Sequence, residues 1–149
     1  MMTKRLYFAY GSNMSEAQMV LRCPDSSAVG IARLSDYRFL INERGVASIA
    51  ECDGRVVCGL VWEISESDER NLDHYEGVAK GLYCKSVVSV AVQEGHTVDV
   101  LVYVATSSKE GKPRTGYMEK IIRAAAGLGF PSQNLEELNS CLTTDVQNA

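Results

Sequence analysis

The sequence predicts an α+β fold built on a curved or barrel-like sheet. Extended segments fill most of roughly the first hundred residues, two short helices interrupt them, and the remainder reads as helical. The 149 residues fit one domain spanning 1–149, long enough to remove roughly 70% of the unfolded surface from water. Fifteen Lys and Arg against nineteen Asp and Glu leave a net charge of −4. That balance argues against nucleic acid as a partner, because phosphate-backbone binding needs a basic face. No apolar run approaches the roughly 20 residues needed to cross a bilayer. The stretch Leu6–Tyr10 after the basic Met1-Met2-Thr3-Lys4-Arg5 is too short for a signal-peptide core. A cytosolic chain without membrane contact is expected, a monomer or a homodimer paired through short strand edges.

The aromatic run Lys4–Tyr10 reads as the first strand, broken by Gly11-Ser12-Asn13. Ser15 and Gln18 have the spacing of a capping box, with Met14 and Met19 as its hydrophobic staple, so a short helix starts at Ser15. Extended segments follow near Ala28–Asn42 and Val46–Glu51. Asp53-Gly54 between apolar runs predicts a hairpin turn into a strand over Arg55–Ile64. There Val56, Cys58, Leu60, Trp62 and Ile64 share a face by period two. Ser65-x-x-Asp68 is a second capping box, opening a helix that runs toward Glu76, and Gly77 suits a left-handed C-terminal cap. Leu82–Val92 and Thr97–Ala105 predict a hairpin across Gln93-Glu94-Gly95-His96. Thr115 is placed to cap a helix with Tyr117, Ile121, Ala124 and Leu128 on one stripe, ending before Pro131. Ser132 is placed to cap a last helix carrying Leu135, Leu138 and Leu142.

Two stretches and a set of tyrosines are able to carry chemistry. A strand ending in Tyr7-Phe8-Ala9-Tyr10-Gly11-Ser12-Asn13 and entering a helix gathers unpaired backbone amides at the positive end of a helix dipole. That arrangement favours a carboxylate or phosphate, and Gly11 allows it close to the main chain. In Asp73-His74-Tyr75-Glu76-Gly77, Glu76 falls at the partially negative end of a helix. Burial there would raise its pKa further and make it able to accept and return a proton near neutral pH. His74 is expected on the surface. Tyr83, Tyr103 and Tyr117 either pack as core or line a pocket with orienting hydroxyls. The five cysteines (23, 52, 58, 84 and 141) contain no C-x-x-C pair and neighbour neither His74 nor His96. They read as free, mostly buried thiols, with no metal-type spacing and a thiol nucleophile only formally open.

Leu6-Tyr7-Phe8-Ala9-Tyr10-Gly11-Ser12-Asn13-Met14 followed by Leu72-Asp73-His74-Tyr75-Glu76-Gly77-Val78 resembles the γ-glutamylcyclotransferase family. Val29–Leu40, Val57-Cys58-Gly59-Leu60-Val61-Trp62, Gly81-Leu82-Tyr83 and Tyr117-Met118-Glu119-Lys120-Ile121-Ile122 match in the same order, so the likeness runs from about Leu6 to Leu128. The resemblance implies a small mixed-sheet barrel flanked by helices. It implies conversion of γ-glutamyl-amino acids or peptides to 5-oxoproline and the free amino acid, without metal or organic cofactor. Glu76 matches the family's catalytic glutamate, Tyr7 to Ser12 its substrate-binding run and Tyr117 a substrate-contacting tyrosine, with Asn13 completing the turn.

The chemistry suits these residues independently. A γ-glutamyl substrate carries its own nucleophile, the α-amine, so one tuned carboxylate serves as base for that amine and as acid for the departing one. Folding the chain into a near-attack shape contributes the rest, up to roughly 7–11 kcal/mol in favourable cases. The amides at Gly11–Asn13 would hold either the α-carboxylate or the developing oxyanion. Two alternatives stay open at this level. One is a cyclotransferase for γ-glutamylamines or a γ-glutamyl-protected small molecule, separated only by the leaving-group half of the pocket in the loops Asn42–Gly45 and Thr106–Arg114. The other is a non-catalytic module binding a small acid, which an uncompensated Glu76 argues against.

Overall fold

Five strands close into a barrel whose neighbours run β1-β3-β2-β4-β5 and back to β1. The computed structural model describes residues 4–93 and 95–147, the last five by backbone alone. Met1 to Thr3 of the basic N-terminus and Glu94 of the expected turn lie outside the described residues. The strands are β1 (Lys4–Ala9), β2 (Ser27–Ile41), β3 (Ala47–Ser65), β4 (Tyr83–Val92) and β5 (Thr97–Ala105). The helices are α1 (Glu16–Arg22), α2 (Glu66–Tyr75), α3 (Tyr117–Gly127) and α4 (Ser132–Gln147). All strand pairs are antiparallel except β1 with β5, which meet in parallel at Tyr7 and Leu101. The expected α+β class with a small mixed barrel flanked by helices is what the chain forms. Among the described residues no helix is long and apolar enough to cross a membrane.

The barrel closes because its strands bury side chains at successive positions. Val61 and Ile64 of β3, Phe8 of β1 and Val100 and Val102 of β5 are all but inaccessible. They join one apolar cluster with Met118, Ile121, Phe130 and Leu138 of the C-terminal helices and the segment between them.

The Asp53-Gly54 signal marks something other than the expected hairpin. β3 runs unbroken from Ala47 to Ser65 and pairs with β2 on both sides of that dipeptide. The pairing steps from Tyr37↔Glu51 to Ser35↔Val56, leaving Asp36 opposite four residues. Asp36 takes φ 65°, Gly54 takes φ 81°, and the Gly54 amide donates to Asp36 Oδ1 at 2.9 Å. A bulge and a tight hairpin both need a residue at positive φ, so the dipeptide serves either. The true β2–β3 turn is Asn42 to Val46, where the Asn42 amide donates to the Val46 carbonyl at 2.9 Å.

Two helix starts also differ from expectation. Gly116, in left-handed conformation, occupies the position before α3, and Thr115 makes no capping bond. Ser132 is already helical, and the Pro131 carbonyl accepts from Asn134 and Leu135. The Ser65–Asp68 capping box forms in full, and Gly77 takes φ 64° after α2. At α1 the Ser15 hydroxyl accepts from the Gln18 amide, but the Gln18 side chain turns to Ser12 and Asn13 and completes no box. Of the five thiols, Cys23 and Cys58 are buried, Cys52 and Cys141 half-buried, and Cys84 is exposed on β4.

Candidate active site

The start of β1's exit turn, the end of α2 and the start of α3 meet at one cavity of about 550 Å³. Its walls include Tyr7, Phe8, Tyr10, Gly11, Ser12 and Asn13 from the N-terminal motif, Glu76 after α2, and Tyr83, Tyr103 and Tyr117. Sequence positions separated by a hundred residues are thus brought together, and of the expected set only Ala9 is missing. Its methyl group lies in the core at 1% exposure, behind the wall rather than in it. No cysteine lines the cavity, and among the described residues no three His, Cys, Asp or Glu side chains gather as a metal site.

Glu76 is the C-cap of α2, its amide bonded to the Leu72 carbonyl at 2.8 Å. The carboxylate therefore stands at the negative end of the helix, where an anion is disfavoured. Burial raises its pKa from the usual carboxylate range to about 7, while Arg22 and Arg44 pull against that rise. Among the described residues the carboxylate accepts no hydrogen bond. A glutamate with a pKa near 7 is poised to exchange a proton at neutral pH.

The turn after β1 is fixed through Asn13, which is buried at 3% exposure. Its carbonyl accepts from Trp62 Nε1 at 3.0 Å, and its Oδ1 accepts from Gln18 Nε2 at 2.8 Å and from Arg22 at 3.1 Å. Its Nδ2 donates to the Tyr7 hydroxyl at 3.0 Å. The amides of Ser12 and Asn13 begin a single 3-10 turn, and the described residues give them no acceptor.

Hydroxyl accounting separates the tyrosines. Tyr10 donates to the Tyr103 carbonyl and Tyr83 to the Ala47 carbonyl, each at 2.6 Å. Tyr103 donates to Asp73 Oδ1 at 2.7 Å. Those three hydroxyl hydrogens are already used in stitching the walls together. Tyr7 and Tyr117 instead accept, from Asn13 and from the Ala47 amide at 3.0 Å; Tyr7 keeps its own hydrogen for a ligand, while Tyr117 also meets the Ser12 side chain. Burial raises the pKa of both, with the Glu76 charge adding to the rise, so they stay protonated donors at neutral pH.

The sequence reading missed the cations. Arg22, Arg44, Arg114 and Lys120 line the cavity, and Gln18 and Tyr75 join them. Arg22 stacks over the Tyr75 ring at 4.5 Å and Arg44 over the Tyr83 ring at 5.6 Å. Arg44 and Arg114 come from the two loops expected to form the leaving-group half. No local pattern marks an arginine at the end of α1 or in a hairpin turn as part of a site 50 residues away in sequence; only the folded barrel does.

A closed mixed barrel whose cavity holds a buried carboxylate and a turn with free backbone amides is built to take a small polar molecule. The AIG2-like family model matches residues 56–138. The human gamma-glutamylcyclotransferase is 32% identical, the alignment covering 94% of this chain and 80% of that protein. The bovine gamma-glutamylcyclotransferase is 33% identical over 95% of this chain and 81% of its own length. A solved structure named gamma-glutamyl cyclotransferase superposes with a TM-score of 0.86 at 32% identity, covering 92% of this chain and 87% of that one. The chain belongs to the γ-glutamylcyclotransferase family.

Proposed function

We propose that the protein is a γ-glutamylcyclotransferase in which Glu76 carries the proton between two nitrogens of one substrate. The α-amine of a γ-glutamyl group, in its neutral form, attacks the γ-carbonyl carbon and passes one of its two protons to the Glu76 carboxylate. A five-membered lactam closes as the new N–C bond forms. The old C–N bond breaks as Glu76 returns the proton to the departing amine, releasing 5-oxoproline and the free amine. One acid suffices because its pKa of about 7 lies between what each half-step asks.

The remaining roles follow from which donors are unoccupied. The Ser12 and Asn13 amides, with Arg22 beside them, hold the α-carboxylate and so place the amine toward Glu76. The hydroxyls of Tyr7 and Tyr117 donate to the carbonyl oxygen as it becomes negative. Phe8, Tyr10, Gly11, Tyr83 and Tyr103 shape the wall and fix these donors.

The single observation that supports this reading is an unpaired, desolvated carboxylate sharing a cavity with a turn whose amides are free. Incubating Glu76→Gln with γ-glutamyl-alanine and measuring 5-oxoproline tests it. A folded variant, shown by circular dichroism, that still releases product at near-normal rate removes Glu76 from the mechanism.

A further inference from the structure

Two guanidinium groups share the cavity with Glu76 and are fastened to different walls of it. Arg22 bonds Asn13 in the turn after β1 and lies over Tyr75, whereas Arg44 bonds the Leu82 carbonyl and lies over Tyr83. Both are half-buried, and neither forms a salt bridge with a carboxylate among the described residues. A half-buried guanidinium without a partner anion carries a desolvation cost that a bound anion would offset.

From this arrangement we infer that Arg44 is a specificity-determining residue: it binds a carboxylate on the departing half of the substrate, so the protein favours γ-glutamyl-amino acids and peptides over γ-glutamylamines. The inference rests on the reaction proposed above, which assigns the Arg22 wall of the cavity to the α-carboxylate. The β2–β3 turn is built to hold Arg44 still. Asn42, fully buried, accepts through Oδ1 from the Arg44 amide at 3.0 Å and from the Val46 amide at 3.4 Å. From the other side Arg114 Nε donates to the Arg44 carbonyl at 2.9 Å, and the Arg114 amide donates to the Gly45 carbonyl at 3.1 Å. Gly45, at φ 81°, admits no side chain here, since a Cβ would fall 2.8 Å from Arg114 Cγ. Such double fastening lowers the entropy lost when a flexible arginine captures an anion.

The guanidinium spends one donor on the Leu82 carbonyl, at 2.8 Å, and the described residues engage no other. Four of its five N–H groups remain, enough for a two-point bond to a carboxylate. A role limited to keeping Glu76 ionised fits less well. The two groups share no hydrogen bond, and the glutamate keeps its raised pKa despite the arginine.

A matched substrate pair tests this. γ-Glutamyl-ethylamide is γ-glutamyl-alanine with the departing half's carboxylate replaced by hydrogen. The ratio of kcat/KM for the acid over the amide is expected to be tenfold or more in the wild type, to fall at least tenfold in Arg44→Gln, and to recover in part in Arg44→Lys. An unchanged ratio in Arg44→Gln, or no preference in the wild type, overturns the assignment. Calorimetric binding of both compounds to Glu76→Gln, with and without Arg44→Gln, reads the same preference without turnover. Thus, if the wild type releases 5-oxoproline from neither compound, the proposed reaction falls while the Arg44 assignment is still judged by binding. Melting temperatures of the Arg44 variants report any loss of fold from the missing Leu82 bond.

Discussion

Helices α2 and α3 each deliver one key side chain to the cavity, yet they are fastened to the barrel by different forces. α3 presents Tyr117 and buries Met118, Ile121 and Ala125 completely. α2 presents Glu76 and buries one apolar residue, Leu72, alongside the fully buried Asp68. Polar bonds do the rest for α2. Asp68 closes the capping box at Ser65 and accepts from the Asp25 amide at 3.3 Å. Asn71 donates to the Arg22 carbonyl at 3.0 Å. Glu69 pairs with Arg5 and Lys85, while Asp73 pairs with Lys85 at 3.1 Å and accepts from Tyr103. Apolar burial is non-directional and holds a helix by shape, whereas these bonds fix orientation and respond to charge. The tyrosine wall therefore depends on packing, and the acid wall on protonation and salt.

Substitutions that separate the two walls sharpen this contrast. The largest effect expected is on chemistry: Glu76→Gln should lower kcat about a thousandfold, equivalent to about 4 kcal/mol, in a 5-oxoproline release assay. Next, Ile121→Ala should cost about 3 kcal/mol of stability in urea denaturation while leaving turnover by the folded fraction within a few-fold. A comparable loss of turnover would show that the apolar wall also sets the acid. Asp68→Ala should cost about 2 kcal/mol, since it strands buried amides, and should lower kcat/KM as well, because the end of α2 shifts.

Glu76 itself should destabilise the fold with a defined pH dependence. Its folded pKa of about 7 exceeds the ordinary carboxylate value of 4.5, so the folded state holds more protons between those limits. Stability then falls as pH rises through that window and levels off above about 7. Glu76→Gln should be more stable than the wild type at pH 8 by up to about 3 kcal/mol and equal to it at pH 4, read from melting curves. Activity should run the other way in wild type, with kcat/KM rising through pH 7 as the base ionises. The smallest effect belongs to Lys85→Met. Its exposed pairs with Glu69 and Asp73 are worth up to about 1 kcal/mol, and the loss should shrink in high salt. If salt leaves the difference unchanged, the polar account of how α2 is fastened fails.

Much of this was legible in sequence where the signal is local. The Ser65–Asp68 box, Gly77 and Glu76 lie within a dozen residues and report one helix and its two ends. The alternation in Val98, Val100, Val102 and Val104 likewise marks β5 without reference to anything distant. What stayed illegible depends on partners far along the chain. The role of Asp53-Gly54 turns on whether the flanking segments pair with each other or with a third strand, and that third strand lies some twenty residues upstream. Whether Tyr103 packs as core or orients a ligand turns on Asp73, thirty residues away, which accepts its hydroxyl's hydrogen bond at 2.7 Å. Arg22 and Arg44 became site residues only when their elements were folded over the same opening.

The slip in register at Asp36 and Gly54 has one more consequence. It divides the β2–β3 ribbon into two paired stretches, Ser27–Ser35 against Val56–Glu63 and Tyr37–Ile41 against Ala47–Glu51, and the second ends in the arginine-bearing turn. Within that turn the exposed Glu43 and the Arg44 side chain are the parts open to change, since Asn42 and Gly45 hold its backbone. On the Arg44 assignment, substitutions at Glu43 and Arg44 are the shortest engineered route to a new leaving group.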